Sequence, residues 1–207
     1  MTSQDKIQDD LWADVQQDTA QRLLLAALGL FASRGFHATS TRQIASAAGL
    51  SPAAMYVFYR SKAELLFEIS RVGHESALRG IEAVVARFAT PPERMRALVQ
   101  EFTSWHARHN TLARVAQYEL EHLEPQHYEE IASLRRRIAA VVRAELLFGA
   151  ESGDFNVIDI PRTTLAILSL QIDVARWYSA AGHWSPEELG HTYAELVLRM
   201  LQSSKAV

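Results

Sequence analysis

The stretch Thr39–Lys62, TSTRQIASAAGLSPAAMYVFYRSK, contains no acidic residue, turns on one glycine and sets three aromatics, Tyr56, Phe58 and Tyr59, within four positions. Counted from Thr41, apolar side chains fall at Ile44, Ala48, Leu50, Met55 and Phe58. Small Ala45 stands where two helices would cross, and Gly49 where the chain must turn with positive φ. This is the spacing of a helix-turn-helix, whose second helix is offered to a DNA major groove. A plain helical hairpin shares the spacing, so the side chains around the motif must decide. Carboxylates are missing, as they should be on a surface that lies beside phosphates.

The second helix of the motif carries the chemistry. Ser51, Pro52, Ala53 and Ala54 make its first turn, and their small size lets the helix approach a groove. The free N–H groups of that turn suit a phosphate. Tyr56 supplies a hydroxyl donor, and Lys62, at the start of the next helix, a point charge; such contacts position a protein rather than read sequence. Base reading falls to Thr41, Arg42 and the face of residues 52–56, where alanine methyls can meet thymine methyls.

Charge supports this division of the chain. Between Thr19 and Lys62 there are five basic residues and no acidic one, whereas residues 63–207 carry 15 basic and 19 acidic side chains. A small basic module followed by a larger acidic one points to a polyanionic partner for the first. The 207-residue chain is 48% hydrophobic and 22% charged, the composition of an ordinary globular protein. The acidic start, MTSQDKIQDDLWADVQ, does not resemble a signal peptide, and no apolar run approaches the length of a membrane span. With no cysteine, disulfides and thiolate metal sites are excluded. A cytoplasmic protein without a membrane partner is expected.

The fold class is all-α. Strand alternation is absent, and helix starts are marked by capping boxes at Ser40–Gln43, Ser61–Glu64, Thr90–Glu93 and Ser185–Glu188. Stops fall at Gly35, Gly49, Gly149 and Gly182. The pattern predicts nine helices, at about 16–34, 41–48, 52–58, 62–88, 92–108, 111–123, 125–148, 160–181 and 185–203. Residues 1–15 form an extension expected to be disordered, residues 16–62 a DNA-binding domain with its motif at about 40–59, and residues 63–207 a six-helix bundle for ligand binding and dimerisation.

The segment LLLAALGLFASRGFHATSTRQIASAAGLSPAAMYVFYRSKAELLFEI resembles the DNA-binding domain of the TetR family of transcriptional regulators. The matching marks are Ala26, Ala27, Leu30, Phe31 and Gly35, the IASAAGLS turn, and MYVFYRSKAEL after it. The resemblance covers about 50 residues. One departure is Phe58, where relatives often carry His or Tyr; Tyr59 or Arg60 is then expected to supply the missing phosphate contact. The family implies a homodimer joined through the last two helices, with double-stranded operator DNA as partner and a small molecule as inducer. Outward apolar positions such as Leu168 and Leu196 are expected at the subunit interface. Helix 160–181 is apolar nearly all round and needs cover on both sides.

Polar residues on apolar stripes mark a candidate ligand site. Tyr118, Glu119 and His122 lie on or beside the stripe of helix 111–123. Arg162, Ser169, Asp173 and Arg176 share a stripe of helix 160–181, followed by Trp177, while Trp105, His106 and His109 end the fifth helix. Two readings stand side by side: structural ion pairs such as Asp173–Arg176, and a pocket of Trp105, His109, Tyr118, Glu119, His122, Arg176 and Trp177 for an anion with an apolar tail. The stretches ARVAQYELEHLEPQHYEEIASLRRRI and LAILSLQIDVARWY resemble the regulatory domain of a TetR subgroup tied to lipid and steroid catabolism, which implies a CoA thioester as inducer. A transporter-gene regulator responding to an aromatic or cationic apolar compound is the alternative.

An enzyme is the rival class. Glu119-x-x-His122 and Glu188-x-x-His191 have the spacing of di-iron bundle ligands. His191 lies two positions from Leu189, about 200° round the helix and away from the apolar stripe, so the second pair faces solvent. Neither a serine elbow nor a glycine-rich phosphate loop is present. No catalytic residue, metal or cofactor is expected. The reading is a ligand-responsive repressor on a palindromic operator.

Overall fold

A computed structural model describes Leu11, Trp12, Val15 and residues 18–201 of the chain. Among the described residues every regular element is helical: α1 (Asp18–Arg34), α2 (Thr41–Ala47), α3 (Pro52–Phe58), α4 (Lys62–Val85), α5 (Pro91–Arg108), α6 (Asn110–Tyr118), a 3-10 turn (Leu120–His122), α7 (Pro125–Glu151), α8 (Ile160–Ile172), α9 (Val174–Trp177) and α10 (Pro186–Leu201). The starts are where the capping residues put them. Ser40 Oγ accepts the Gln43 N–H, and Gln43 Oε1 takes the Ser40 N–H at 2.8 Å. Thr90 with Glu93 and Ser185 with Glu188 close the same reciprocal box. Each cap contributes about 1 kcal/mol by satisfying N–H groups that a helix start leaves open.

Four local expectations are corrected. The helix expected over 160–181 breaks at Asp173, whose carboxylate is held by the Arg176 guanidinium at 2.7 Å; α9 ends four residues later, where Tyr178 turns extended. The helix expected over 111–123 stops at Tyr118 and continues only as the 3-10 turn. Gly149 does not end α7: it leaves room for the Phe155 ring, and the chain reverses at Gly153 instead. Trp12, assigned by sequence to a disordered extension, is buried with 1% of its surface exposed, because the indole's large apolar area rewards burial. The expectation of disorder over residues 1–10 lies outside the described residues.

The chain divides into two compact units, one comprising residues through Ser76 together with Thr111–Ser133, the other Ala77–Asn110 together with Leu134 onward. The first is built on Leu23, Leu24 and Phe31 of α1, Ile44 of α2, Met55 of α3 and Leu65, Leu66 and Ile69 of α4, all buried. The second is built on Met95, Leu98 and Val99 of α5, Val142 and Leu146 of α7, Ile167 of α8 and Val197 of α10. Each such side chain contributes roughly 1.5–3 kcal/mol when withdrawn from water.

Within the second unit α10 lies along α5. They approach closely at Gly190, where a Cβ would meet Ser104 Oγ and stand 2.7 Å from the Gln100 carbonyl oxygen. Four further contacts join the pair: Ser104 Oγ donates to the Pro186 carbonyl at 2.9 Å, Arg108 reaches Glu187 at 3.1 Å, Arg96 pairs with Glu195, and Gln100 lies 3.3 Å from His191 Nδ1. The outer sides of these elements stay apolar: Leu165, Leu170 and Trp177 on α8 and α9, and Leu196 and Met200 on α10, are exposed. Leu168, expected to face outward, is instead buried at 8% exposure, one turn from the core residue Thr164. No helix among the described residues is long and apolar enough to cross a membrane.

Candidate functional site

The helix-turn-helix is fixed from beneath. Gly49 has φ of +72°, a conformation other residues adopt only under strain, and the Leu50 N–H returns to the Ala45 carbonyl at 2.8 Å. The Arg22 guanidinium of α1 caps α2 by donating to the Ala48 carbonyl; a side chain at position 49 would strike it. Arg22 therefore serves the turn, a role that its distance in sequence concealed.

Above this support, Arg42, Ser51, Pro52, Ala53 and Tyr56 are exposed, and Thr41 and Ala54 are partly so. Ser51 Oγ caps α3 through the Ala54 N–H at 3.1 Å. Thr41 Oγ1 and the Tyr56 hydroxyl stand 3.2 Å apart and bridge the first turn of α2 to α3. An open hollow of about 460 Å³ adjoins them, lined among others by His37, Ser40, Arg60, Ser61 and Lys62. The expected reading surface is thus assembled on one face, and His37 and Arg60 join it.

Two expected DNA contacts sit elsewhere. Tyr59 is buried, because α3 ends at Phe58 and the extended backbone at Tyr59 turns its ring inward. Burial, reinforced by Glu68 and Glu64, pushes its hydroxyl up to about 12. The Lys62 amine donates to the carbonyls of Phe36 at 2.7 Å and Thr39 at 2.9 Å, and lies 4.2 Å from the centre of the Phe36 ring. Its charge stabilises the turn that leads into α2. No signal in the spacing separates an exposed lysine from one that closes a loop 26 residues away.

The expected ligand residues are dispersed. Glu119 and His122 belong with the N-terminal helices: Glu119 Oε1 accepts the Phe36 N–H at 3.3 Å, its other oxygen lies 3.2 Å from His122 Nε2, and the His122 ring stacks on Phe36 at 4.7 Å and meets His37 at 4.2 Å. Both are satisfied within that unit. Tyr118, Arg176 and Trp177 are exposed, and the Arg176 hydrogen bond holds the Asp173 carboxyl below its usual range. The polar stripe of α8 points outward, alongside Leu165 and Leu170, which corrects the interior placement of Arg176. Trp105 and His109 do reach the interior of the C-terminal unit, their rings 5.0 Å apart, and the His106 ring lies 5.1 Å from that of Trp105. Burial, aided by Arg108, lowers His109 to about 4 and keeps its ring neutral at pH 7. Glu188 caps α10 through Ser185, and His191 is exposed beside Gln100, as its helical position implied.

Residues 23–69 match the family of bacterial regulatory proteins called tetR, and residues 89–201 match the tetracyclin repressor-like C-terminal domain. The HTH-type transcriptional repressor KstR2 of Mycobacterium tuberculosis is 26% identical over 181 residues, covering 85% of this chain and 89% of that protein. Its solved structure, that of a ketosteroid transcriptional regulator, superposes with a TM-score of 0.82 at 25% identity over 89% of this chain and 95% of its own. A bacterial regulatory protein of the tetR family from Rhodococcus RHA1 is 39% identical, covers 92% of this chain and 100% of its own, and has a TM-score of 0.86. AibR, solved with isovaleryl coenzyme A and operator DNA, shares the fold at a TM-score of 0.78 and 20% identity, over 89% of this chain and 98% of its own. With both family domains matched in order and the helix-turn-helix standing at the expected place, the chain belongs to the TetR family of ligand-responsive, DNA-binding transcriptional regulators.

Proposed function

We propose that the protein is a cytoplasmic homodimeric repressor, acting by binding rather than by catalysis, that leaves a palindromic operator when an acyl-CoA or related CoA thioester occupies its C-terminal domain. Residues 16–62 bind DNA, and residues 63–207 bind ligand and partner. The observation that carries the reading is the acid-free face of α2 and α3, where Arg42, Ser51, Pro52, Ala53 and Tyr56 are exposed around the Thr41–Tyr56 bridge. Arg42 and the tips of Pro52, Ala53, Ala54 and Tyr56 read bases, while Ser51, Arg60 and His37 lie beside phosphates.

The ligand class draws on the company the chain keeps: KstR2 is a ketosteroid regulator, and AibR was solved with an acyl-CoA. His109, beside Trp105, is held neutral by burial, which fits the apolar part of such a ligand. Ligand binding to one of two arrangements of the dimer shifts the population away from the spacing that spans successive major grooves.

Selection of operator fragments from genomic DNA, followed by band-shift titration with decanoyl-CoA, tests the whole reading. Binding to a palindrome and release by the thioester are expected. In the same assay Arg42→Ala should weaken operator binding and relax base preference at one position, while a slope of log affinity against log salt reduced by about 1 with preference unchanged would put it on a phosphate. A protein that selects no sequence removes the repressor reading. One that selects a palindrome but ignores decanoyl-CoA removes the ligand class alone.

A further inference from the structure

The core of the C-terminal unit contains two side-chain oxygens with neither a hydrogen-bond nor an ion-pair partner. Thr103 of α5 and Gln171 of α8 are both 0% exposed, and neither Thr103 Oγ1 nor Gln171 Oε1 is bonded. The orientation of the Gln171 amide is fixed, because its nitrogen donates to the Ile167 carbonyl at 2.9 Å and a carbonyl can only accept. Its oxygen therefore faces away from its own helix backbone, as an acceptor.

Helix register brings the two into one layer. Ala107 and Val174 share a buried cluster, and Asn110 donates to the Tyr178 carbonyl at 2.9 Å, so α5 and the α8–α9 pair ascend in the same direction. Thr103 is one turn before Ala107, Gln171 one turn before Val174, and α5 packs on both α8 and α9. Buried polar groups rarely persist unpaired in native cores, and two in one layer mark a place that something else completes.

The neighbouring polar groups narrow what that is. Thr164 donates to the Ile160 carbonyl and Ser104 to the Pro186 carbonyl. His106 gives its Nδ1 hydrogen to the Phe102 carbonyl at 2.8 Å. Arg94 and Glu145 pair with each other at 2.9 Å, more than two turns away along α5. Arg176 is exposed and paired with Asp173. These neighbours are paired elsewhere, which leaves open the Gln171 acceptor and the Thr103 hydroxyl, which can donate or accept.

We propose that Thr103 and Gln171 form the polar end of the ligand site and take a neutral N–H or O–H donor, Gln171 Oε1 accepting it and the Thr103 hydroxyl completing its bonds. The inference rests on the ligand-responsive reading above and adds the chemical selection. A pantetheine amide or a hydroxyl on the apolar body satisfies both groups, whereas a carboxylate can accept from Thr103 but leaves Gln171 Oε1 facing another acceptor and is disfavoured. The site therefore distinguishes an activated or hydroxylated molecule from its free acid.

Calorimetric titration of the full-length protein with decanoyl-CoA, decan-1-ol and decanoate tests this. The parent is expected to bind decanoyl-CoA or decan-1-ol at least about tenfold more tightly than decanoate. The near-isosteric Gln171→Met and Thr103→Val should each reduce that preference by about tenfold, with a thermal midpoint no lower than the parent's, since an unpaired polar group has been removed. Two variants at independent positions keep the test valid should one of them misfold. Unchanged affinities in a folded variant, or a parent that prefers decanoate, overturn the site and leave the ligand reading standing. A parent that binds none of the three overturns the ligand reading, and this site with it.

Discussion

Lys62 shows how one amine is committed by its neighbours. Two carbonyl contacts and the Phe36 ring hold it over the turn before α2, so its removal should act on stability. Lys62→Met is expected to lower the unfolding free energy by about 2 kcal/mol, the usual size of a lost charged hydrogen bond. Operator binding by the folded fraction should keep its salt slope; a slope reduced by about 1 in band-shift titration would put the amine on a phosphate instead. His109 makes a second residue-level case, through its buried neutral ring. Its folded pKa of about 4 lies below the ordinary value of 6.5, so the unfolded chain binds the extra proton between those values. Stability is then full above pH 6.5 and falls as pH drops towards 4, by at most about 3 kcal/mol. Thermal melts at pH 7 and pH 4.5 should converge in His109→Phe relative to the parent, and an unaltered difference would assign the acid sensitivity to other groups.

At the level of elements, what was legible in the sequence is what local chemistry controls. Ser40, Thr90 and Ser185 announced their helices because a cap and its partner sit three residues apart, and Gly49 announced the turn because backbone sterics single it out. What escaped was settled by partners distant in the chain. The periodicity of residues 111–123 marked Glu119 and His122 as inward, but not that inward meant towards Phe36. Helix 160–181 gave no sign of which apolar side would be core, so Leu168 and Leu165 could not be told apart until Leu168 proved buried. Gly190 was equally silent, although α10 approaches α5 closely there. Gly190→Ala should cost about 2 kcal/mol through overpacking, because the obstacle includes the Gln100 backbone carbonyl as well as the movable Ser104 hydroxyl. Chemical denaturation measures it; a midpoint within error of the parent's would mean that the helices separate easily.

For the whole molecule, we propose that the exposed apolar side chains of α8, α9 and α10 meet the partner subunit. Leu196→Glu should place an unpaired charge in that interface at a cost of several kcal/mol, and sedimentation should then find monomers that bind a palindrome weakly. A variant that stays dimeric would move the contact to another surface. The fold was recoverable from sequence because caps and turns follow from short-range spacing, whereas the burial of Thr103 and Gln171 was not, since it depends on α5, α8 and α9 meeting. The latch between α5 and α10 carries a consequence of its own. Ser104, Arg96 and Arg108 tie α10 to α5 near Gly190, and the same α5 carries Thr103 and Trp105 while α10 carries Leu196 and Met200 outward. On the proposed pairing surface, a molecule that displaces α5 would move α10 with it, and inducer affinity and subunit affinity would then be reciprocally linked. The protein's own concentration in the cell would become an effector, setting how much inducer is needed before the operator is released.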